Sequence, residues 1–334
     1  MREILLSHES GSEKGNSLIR NIFISRFKNS ILNKMEDAAI LEKINRPVFT
    51  TDSFTVKPIF FPGGDIGKLA IAGTCNDLAV RCSKPLYLSA AFMIEEGFSI
   101  DHLEKIVDSM LEECVKNQVQ IVCGDTKILP KGSLDGIFIN TSGIGDLIKD
   151  HPGSEGINEG HSLIVSGPIG QHAAVILMKK RGLDFKSDLM SDCRSLWPDI
   201  EYLLKNNVSV ISMRDITRGG LSGILHEWAL SSSTNITINE KEIPVREEVA
   251  GFSTLTGIDY YHLACEGTFL LAVPADEASD VLSLMRKKEG MMQASIIGDA
   301  VRSENRKHNV YLLTETGVRR NLEMPSGEHL PRIC

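Results

Sequence analysis

An α/β (α+β) protein of two domains is what this 334-residue sequence predicts. At about 150 residues per domain, the length suggests two units, each able to bury a core. Strand-like and helix-like apolar patterns alternate along the chain without a clean repeat. The Gly- and Pro-rich run Asp150-His151-Pro152-Gly153-Ser154-Glu155-Gly156-Ile157-Asn158-Glu159-Gly160 interrupts that alternation where a boundary would fall. The expected division is residues 1–150, residues 151–320 and a tail over 321–334.

Residues 16–33 place Leu18, Ile19, Ile22, Phe23, Phe27 and Ile31 on one helical face. Asp37–Leu41 and Pro47–Val56 read as strands. Ile66–Arg81, with Leu69, Ala70, Ala72, Gly73 and Ala79, reads as a small-residue helix able to pack closely on a sheet. Leu86–Ile94 follows as a strand, and Ser99–Lys116 as a helix with Ser99 at its N-cap. Val119–Val122 and Gly136–Gly145 complete the first set of strands. Beyond the boundary, strands are expected at 162–166, 208–212, 235–239, 268–273, 294–302 and 308–313. Helices are expected there at 170–181, 192–206, 219–231, 245–255 and 275–288. Asn321–Cys334 has no helical period and reads as a mobile tail.

Composition excludes several functions. Lys and Arg number 36 against 44 Asp and Glu, a formal net charge of −8 with no basic stripe, which argues against nucleic acid as the main partner. No stretch approaches the roughly 18 apolar residues of a membrane span. Met1 to Glu9 lacks the apolar region of a secretory signal, so a cytoplasmic location is expected. The seven cysteines, at 75, 82, 114, 123, 193, 265 and 334, form no CxxC pair, which argues against a disulfide framework and a structural zinc site. Cys75, Cys114, Cys123 and Cys265 read as buried fillers. Cys334, the last residue of the sequence, does not.

Familiar motifs fail on inspection. Pro62-Gly63-Gly64-Asp65-Ile66-Gly67-Lys68-Leu69 has Pro where a P-loop needs its first Gly and Leu where it needs a hydroxyl. His226-Glu227-Trp228-Ala229-Leu230 lacks the second His of a zincin, and no GxSxG occurs. What stands out is a set of Asp residues at the ends of apolar segments: Asp37, Asp52, Asp77 beside Asn76, and Asp125. Converging, they would form an all-oxygen site of the kind that holds Mg²⁺ with nucleotide phosphates, with Lys127 offering its ammonium to a phosphate. As isolated residues they would be turn formers or caps. Arg214-Asp215-Ile216-Thr217-Arg218-Gly219-Gly220-Leu221 reads either as an anion site at a helix start or as an ordinary turn with surface Arg.

Glu36-Asp37-Ala38-Ala39, Thr51-Asp52-Ser53, Asn76-Asp77-Leu78-Ala79 and Gly124-Asp125-Thr126-Lys127 resemble the ATP-binding half of the aminoimidazole ribonucleotide (AIR) synthetase, or PurM-like, superfamily. Arg214 to Leu221 and Cys265-Glu266-Gly267-Thr268 resemble its second domain. Phe60-Phe61-Pro62-Gly63-Gly64, Gly67-Lys68-Leu69-Ala70 and the terminal Pro331-Arg332-Ile333-Cys334 resemble the hydrogenase maturation factors of the HypE type. There are two departures. His8-Glu9-Ser10-Gly11-Ser12 keeps one Gly of the three usual in the family's His-Gly-Ser-Gly-Gly loop, and Ile216 stands where Pro is usual.

The resemblance implies a homodimer, in which strands of two N-terminal domains share one β-barrel, with a C-terminal α/β sandwich domain in each chain. It implies ATP and Mg²⁺ as cofactors and a carbamoyl dehydratase chemistry. The carbamoyltransferase HypF would load a carbamoyl group on the Cys334 thiolate. ATP-dependent dehydration would convert the thiocarboxamide to a thiocyanate, and the HypC–HypD iron scaffold would accept the cyanide for an [NiFe]-hydrogenase. On this view Asp37, Asp52, Asp77 and Asp125 hold Mg²⁺ and ATP, with Asn76, Lys68 and Arg218 also at the nucleotide. Lys127 neutralises the transferring phosphoryl group. Glu266, in an apolar stretch, is the candidate base for the N–H protons, unless it forms a structural ion pair. Fourteen residues from Asn321 span roughly 45 Å when extended, reach enough for Cys334 to visit a donor and return. Two other readings stay open: another ATP-using PurM-like enzyme, of the selenophosphate synthetase or thiamine-phosphate kinase type, and a non-catalytic, nucleotide-switched cyanide carrier.

Overall fold

Val48, Thr50, Asp52 and Phe54 are more buried than Pro47, Phe49, Thr51 and Ser53, and this alternation makes Pro47–Phe54 a strand, β1, with one face turned inward. The computed structural model describes residues 2–9, 11–182, 188–303 and 308–324. β2 (Ser83–Glu95), β3 (Gln120–Leu129) and β4 (Ile137–Leu147) join β1 in a sheet of order β1-β4-β2-β3. All its pairs are antiparallel except β2–β3. A parallel pair needs a crossover, here supplied by the helix Ile100–Asn117.

The main helices of this half among the described residues are α1 (Glu13–Leu18), α2 (Ile66–Val80) and α3 (Ile100–Asn117). α2 lies on the inner face of the sheet, and its small residues let it come close. At Gly67 an added Cβ would overlap the Ile106 carbonyl oxygen and stand 2.8 Å from Ser109 Oγ. Asp65 caps the helix, its Oδ1 accepting from the Gly67 N–H (2.7 Å), the Lys68 N–H (3.1 Å) and Ser109 Oγ (2.6 Å). The outer face of the sheet, with Thr51, Ser53, Ser89, Asn140 and Ser142, stays exposed or half-buried.

The second sheet gathers seven strands: β5 (His161–Val165), β6 (Ser212–Asp215), β7 (Asn235–Asn239), β8 (Phe269–Pro274), β9 (Ser295–Val301), β10 (Val310–Leu313) and β11 (Arg319–Asn321). Their order is β11-β10-β7-β9-β5-β8-β6, with only β10–β7 parallel. Five helices accompany them: α4 (Gln171–Lys180), α5 (Trp197–Lys205), α6 (Gly220–Ser232), α7 (Glu247–Thr256) and α8 (Ala278–Met285). Leu221, Leu225 and Trp228 of α6 pack on Ile236 and Leu270, and α5 and α8 pack with Phe269 and Leu271. Ala173 and Ile176 of α4 and Phe252 of α7 join the core of the first half, so one apolar core crosses between the halves.

Several elements differ from expectation. Residues 37–41 pair with nothing and form no strand. The helix expected over 16–33 begins at Glu13, passes into a π-helical turn at Ile19–Ile24 and ends at Phe27. β3 extends past 122 to Leu129, because Gly124–Leu129 pairs with Ala90–Glu95, so Gly124-Asp125-Thr126-Lys127 is strand rather than loop. Asp52 likewise lies inside β1. The strand expected at 208–212 is Ser212–Asp215, and the helix expected at 192–206 begins only at Trp197. Arg319–Asn321 forms a strand and Leu322 is buried, so the body of the fold continues to there. Pro331-Arg332-Ile333-Cys334 lies outside the described residues.

Replacing Gly67 by Ala should force α2 from α3 and destabilise the fold by roughly 1–3 kcal/mol, read as a lower melting temperature in calorimetry. A melting curve superimposable on the parent's would refute the close packing.

Candidate active site

Residues 191–196 run without regular structure between the two halves, and their hydrogen bonds go to both. Toward the first half, the Ser191 N–H donates to Pro62 O (2.8 Å) and the Leu196 N–H to Asn76 Oδ1 (2.8 Å). The Asn76 amide N–H₂ donates to Arg194 O (3.1 Å) and Glu266 O (3.4 Å), and Ser195 Oγ bonds Asn117 Oδ1. Toward the second half, Ser191 Oγ meets His172 Nδ1 (2.7 Å), and Asp192 accepts from α4 and from the turn at 266–268. This explains the late start of α5: the backbone groups of 191–196 are committed elsewhere. Asn76, 1% exposed, thus has both ends of its amide bound to backbone and ties the halves together.

Carboxyl groups collect at this seam. Asp77, one residue further along α2, accepts from Thr50 Oγ1 (2.8 Å) and lies near Asp52 of β1. Asp215, at the end of β6, is buried close to both. Glu266 is 5% exposed, and its carboxyl faces Gly73, one helical turn before Asp77. No hydrogen bond to that carboxyl occurs among the described residues. Burial raises the affinity of all four for protons, and repulsion from neighbouring carboxylates adds to it at Asp77, Asp215 and Glu266. Burial first, then Asp77 and Asp52, push Asp215 up to about 7. Glu266 is held well above the usual carboxylate range by burial and then by Asp215, Asp192, Asp52 and Asp77. Arg214 and Arg218 oppose the upward shift at Asp77, and at Asp52 the Ser53 N–H and Arg218 offset burial. Arg214 is itself paired with Glu227, whereas Arg218 is exposed at the start of α6. Lys68 stands nearby on α2, donating from Nζ to Gly63 O (2.8 Å).

Asp37 and Asp125 lie elsewhere. They line a cavity of about 260 Å³ along the free edge of β3, walled by Phe23, Phe27, Met35 and Phe92. Lys127, two residues along β3, pairs with Asp125 at 3.6 Å, both more than half exposed. The four Asp therefore divide into two pairs within one chain. β1 and β3 are opposite edges of the sheet, about 14 Å apart at three strand spacings. Register adds to the separation: Asp52 opposes Thr141 on the inner face, whereas Asp125 opposes Ala91 on the outer one. Among the described residues, no three His, Cys, Asp or Glu side chains stand together as a metal-holding group.

The N-terminal loop closes over the same edge. Glu9 accepts the Ile128 N–H (2.8 Å), next to Lys127, and Ser12 Oγ caps α1 by accepting the Gly15 N–H (2.8 Å).

This arrangement has counterparts. The AIR synthase related protein N-terminal domain model matches residues 35–147, and its C-terminal domain model matches 158–310. A carbamoyl dehydratase HypE of Escherichia coli is 38% identical over the full length of both chains. The chain belongs to the carbamoyl dehydratase HypE family. A crystal structure of a hydrogenase maturation protein HypE in complex with ATP superposes with a TM-score of 0.95 at 38% identity, covering 99% of each chain. HypE in a HypE–HypF complex superposes at 0.80, with 42% identity, over 92% of this chain and all of that one. For this HypE-family chain, sequence reasoning missed Asp192, whose hydrogen-bond partners lie 20 and 74 to 76 residues away. It also missed that Asp215 joins the carboxyl group at the seam. The only local signal for either was an Asp flanking an apolar element.

Asp215 holds its proton more tightly folded than unfolded, so its contribution favours folding most below the unfolded value of about 3.9 and weakens as pH rises toward 7. Asp215→Asn should therefore raise the melting temperature near neutral pH, by roughly 2–4 °C for each kcal/mol relieved, and leave it unchanged near pH 4. Equal melting shifts at both pH values would contradict the buried-charge account.

Proposed function

We propose that the chain uses ATP to dehydrate a carbamoyl group, carried as a thiocarboxamide on Cys334, to a protein thiocyanate that supplies cyanide to an [NiFe]-hydrogenase iron centre. Full-length relatedness to carbamoyl dehydratases supports the chemistry. The observation that carries the site assignment is Glu266, a buried carboxyl without a hydrogen-bond partner among the described residues, at a seam lined by Asp52, Asp77 and Asp215.

The reaction must remove an amide oxygen, and oxide is a poor leaving group. Attack of that oxygen on the γ-phosphorus of ATP forms the O–P bond and releases ADP. The phosphorylated oxygen then departs as phosphate while the nitrogen loses its protons, leaving S–C≡N. Glu266, once unprotonated, accepts an N–H proton directly or through one water. Lys127, proposed as the cation for the transferring phosphoryl group, stands with Asp125 at the other edge and on the other face of the sheet. That edge is about 14 Å from the one that carries Asp52, so within one chain Lys127 does not reach an amide held at Glu266. Arg218 and Lys68 are further cations for phosphate oxygens at the seam, and Asn76 holds the seam together beside them.

The cavity along β3 and its rim suit a nucleotide. Mg²⁺ is held through one or two carboxylates plus phosphate oxygens rather than by an all-protein cage. The pair Asp37 and Asp125, and the pair Asp52 and Asp77, each fit that pattern. Bound there, Mg²⁺ would supply charge neutralisation at the phosphates.

The partners follow from the same reading. HypF is the carbamoyl donor, in keeping with the HypE–HypF complex of a relative. The HypC–HypD iron scaffold is the cyanide acceptor. A homodimer closing over the outer face of the first sheet is supported by Phe49, 67% exposed on edge strand β1, and by the row of half-buried small residues beside it. No helix among the described residues is long and apolar enough to cross a membrane, and the proposed site of action is the cytoplasm.

Mass spectrometry of the C-terminal peptide tests the proposal. Incubation with HypF, carbamoyl phosphate and ATP should add about 43 mass units to Cys334, falling to about 25 on dehydration. Cys334→Ala should retain ATP binding and lose both adducts. A dehydrated adduct on any other residue would rule the carrier role out.

A further inference from the structure

We propose that Asp192 is a positioning residue for the dehydration: by accepting the N–H groups of Glu266 and Gly267, its carboxylate sets where the Glu266 carboxyl sits. This inference rests on the assignment of Glu266 as the base. Asp192 Oδ2 accepts from the Glu266 N–H (3.1 Å), the Gly267 N–H (2.9 Å) and Thr268 Oγ1 (3.3 Å). Its Oδ1 accepts the N–H of His172 (3.1 Å), in the first turn of α4. One carboxylate thus pins the 266–268 turn to a rigid helix.

The grip on Glu266 is two-sided. Its N–H is held by Asp192, and its C=O accepts from the Arg194 N–H (3.2 Å) and from Asn76 Nδ2 (3.4 Å). Gly267 is needed for this approach, since a Cβ there would overlap the Asp192 carbonyl oxygen. The Glu266 side chain, by contrast, has no hydrogen-bond partner among the described residues to orient it. Its location therefore depends on the backbone, and the backbone depends on Asp192. A base must stand within hydrogen-bond reach of its proton, so small displacements are expensive.

The test uses the full-length chain, carbamoylated on Cys334, in single-turnover reactions with Mg²⁺-ATP, reading thiocyanate formed against ATP concentration. Asp192→Ala removes all four acceptor contacts and should slow turnover roughly 10²-fold with the half-saturating ATP concentration unchanged. Asp192→Asn keeps one acceptor oxygen for the Glu266 and Gly267 N–H groups and should recover turnover to within about tenfold of the parent. Glu266→Gln is run alongside. Parental turnover in Asp192→Ala with Glu266→Gln inactive would overturn the positioning role alone. So would a joint worsening of rate and ATP saturation, with a lowered melting temperature and no recovery in Asp192→Asn, which is the signature of a structural part. Parental turnover in Glu266→Gln would overturn the base assignment itself, and this inference with it.

Discussion

The hydrogen bonds of residues 191–196 to both halves of the molecule are the constraint on which the seam depends. An irregular segment buried between two sheets has polar backbone groups that water cannot reach, and each must find a protein partner. Asn76 supplies two of these bonds from one side and a third to Glu266 O, and Asp192 anchors the other side to α4 and to the 266–268 turn. Leaving such a group unpaired costs about 1–3 kcal/mol, so the two halves can separate only by giving up several bonds together. That is why Asp52 and Asp77 from the first half face Asp215 and Glu266 from the second across a defined gap.

Bringing four carboxyl groups together with little water has a chemical consequence. Burial raises the proton affinity of each, and at Asp77, Asp215 and Glu266 the neighbouring carboxylates raise it further, so Asp215 and Glu266 hold protons at a pH where separate carboxylates would not. Such a site is poised to exchange protons with a bound amide. It is also a site that wants positive charge, and Arg218 stands exposed beside it. The cavity along β3, with Asp125, Lys127 and Asp37, is a separate polar centre on the other edge of the sheet.

Two departures from the family's N-terminal loop have structural work of their own. Glu9 replaces conformational freedom with a bond to the Ile128 N–H on the free edge of β3, and Ser12 caps α1. The loop is thereby held to the strand that carries Lys127, by contacts that glycine could not make.

Much of the fold was legible because local pattern and tertiary environment agree. The small residues of Ile66–Val80, the Ser99 N-cap and the apolar runs of the second sheet announce their elements through periodicity and capping, which act over a few residues. The motifs around Asp37, Asp52, Asp77, Asp125 and Glu266 were equally visible as polar residues at the borders of apolar segments. Their grouping was not. Strand order puts β1 and β3 at opposite edges, and register turns Asp52 and Asp125 to opposite faces, so four similar Asp residues separate into two pairs. Asp192 looked like the start of a helix because nothing near it in the chain reveals bonds to residues 74 and more positions away. Sequence by itself determined the residue types, the helices and strands with strong periodicity, and the family; tertiary structure alone decided which carboxyl groups meet, because proximity across a sheet or a seam is set by chain topology and by where buried backbone groups find partners.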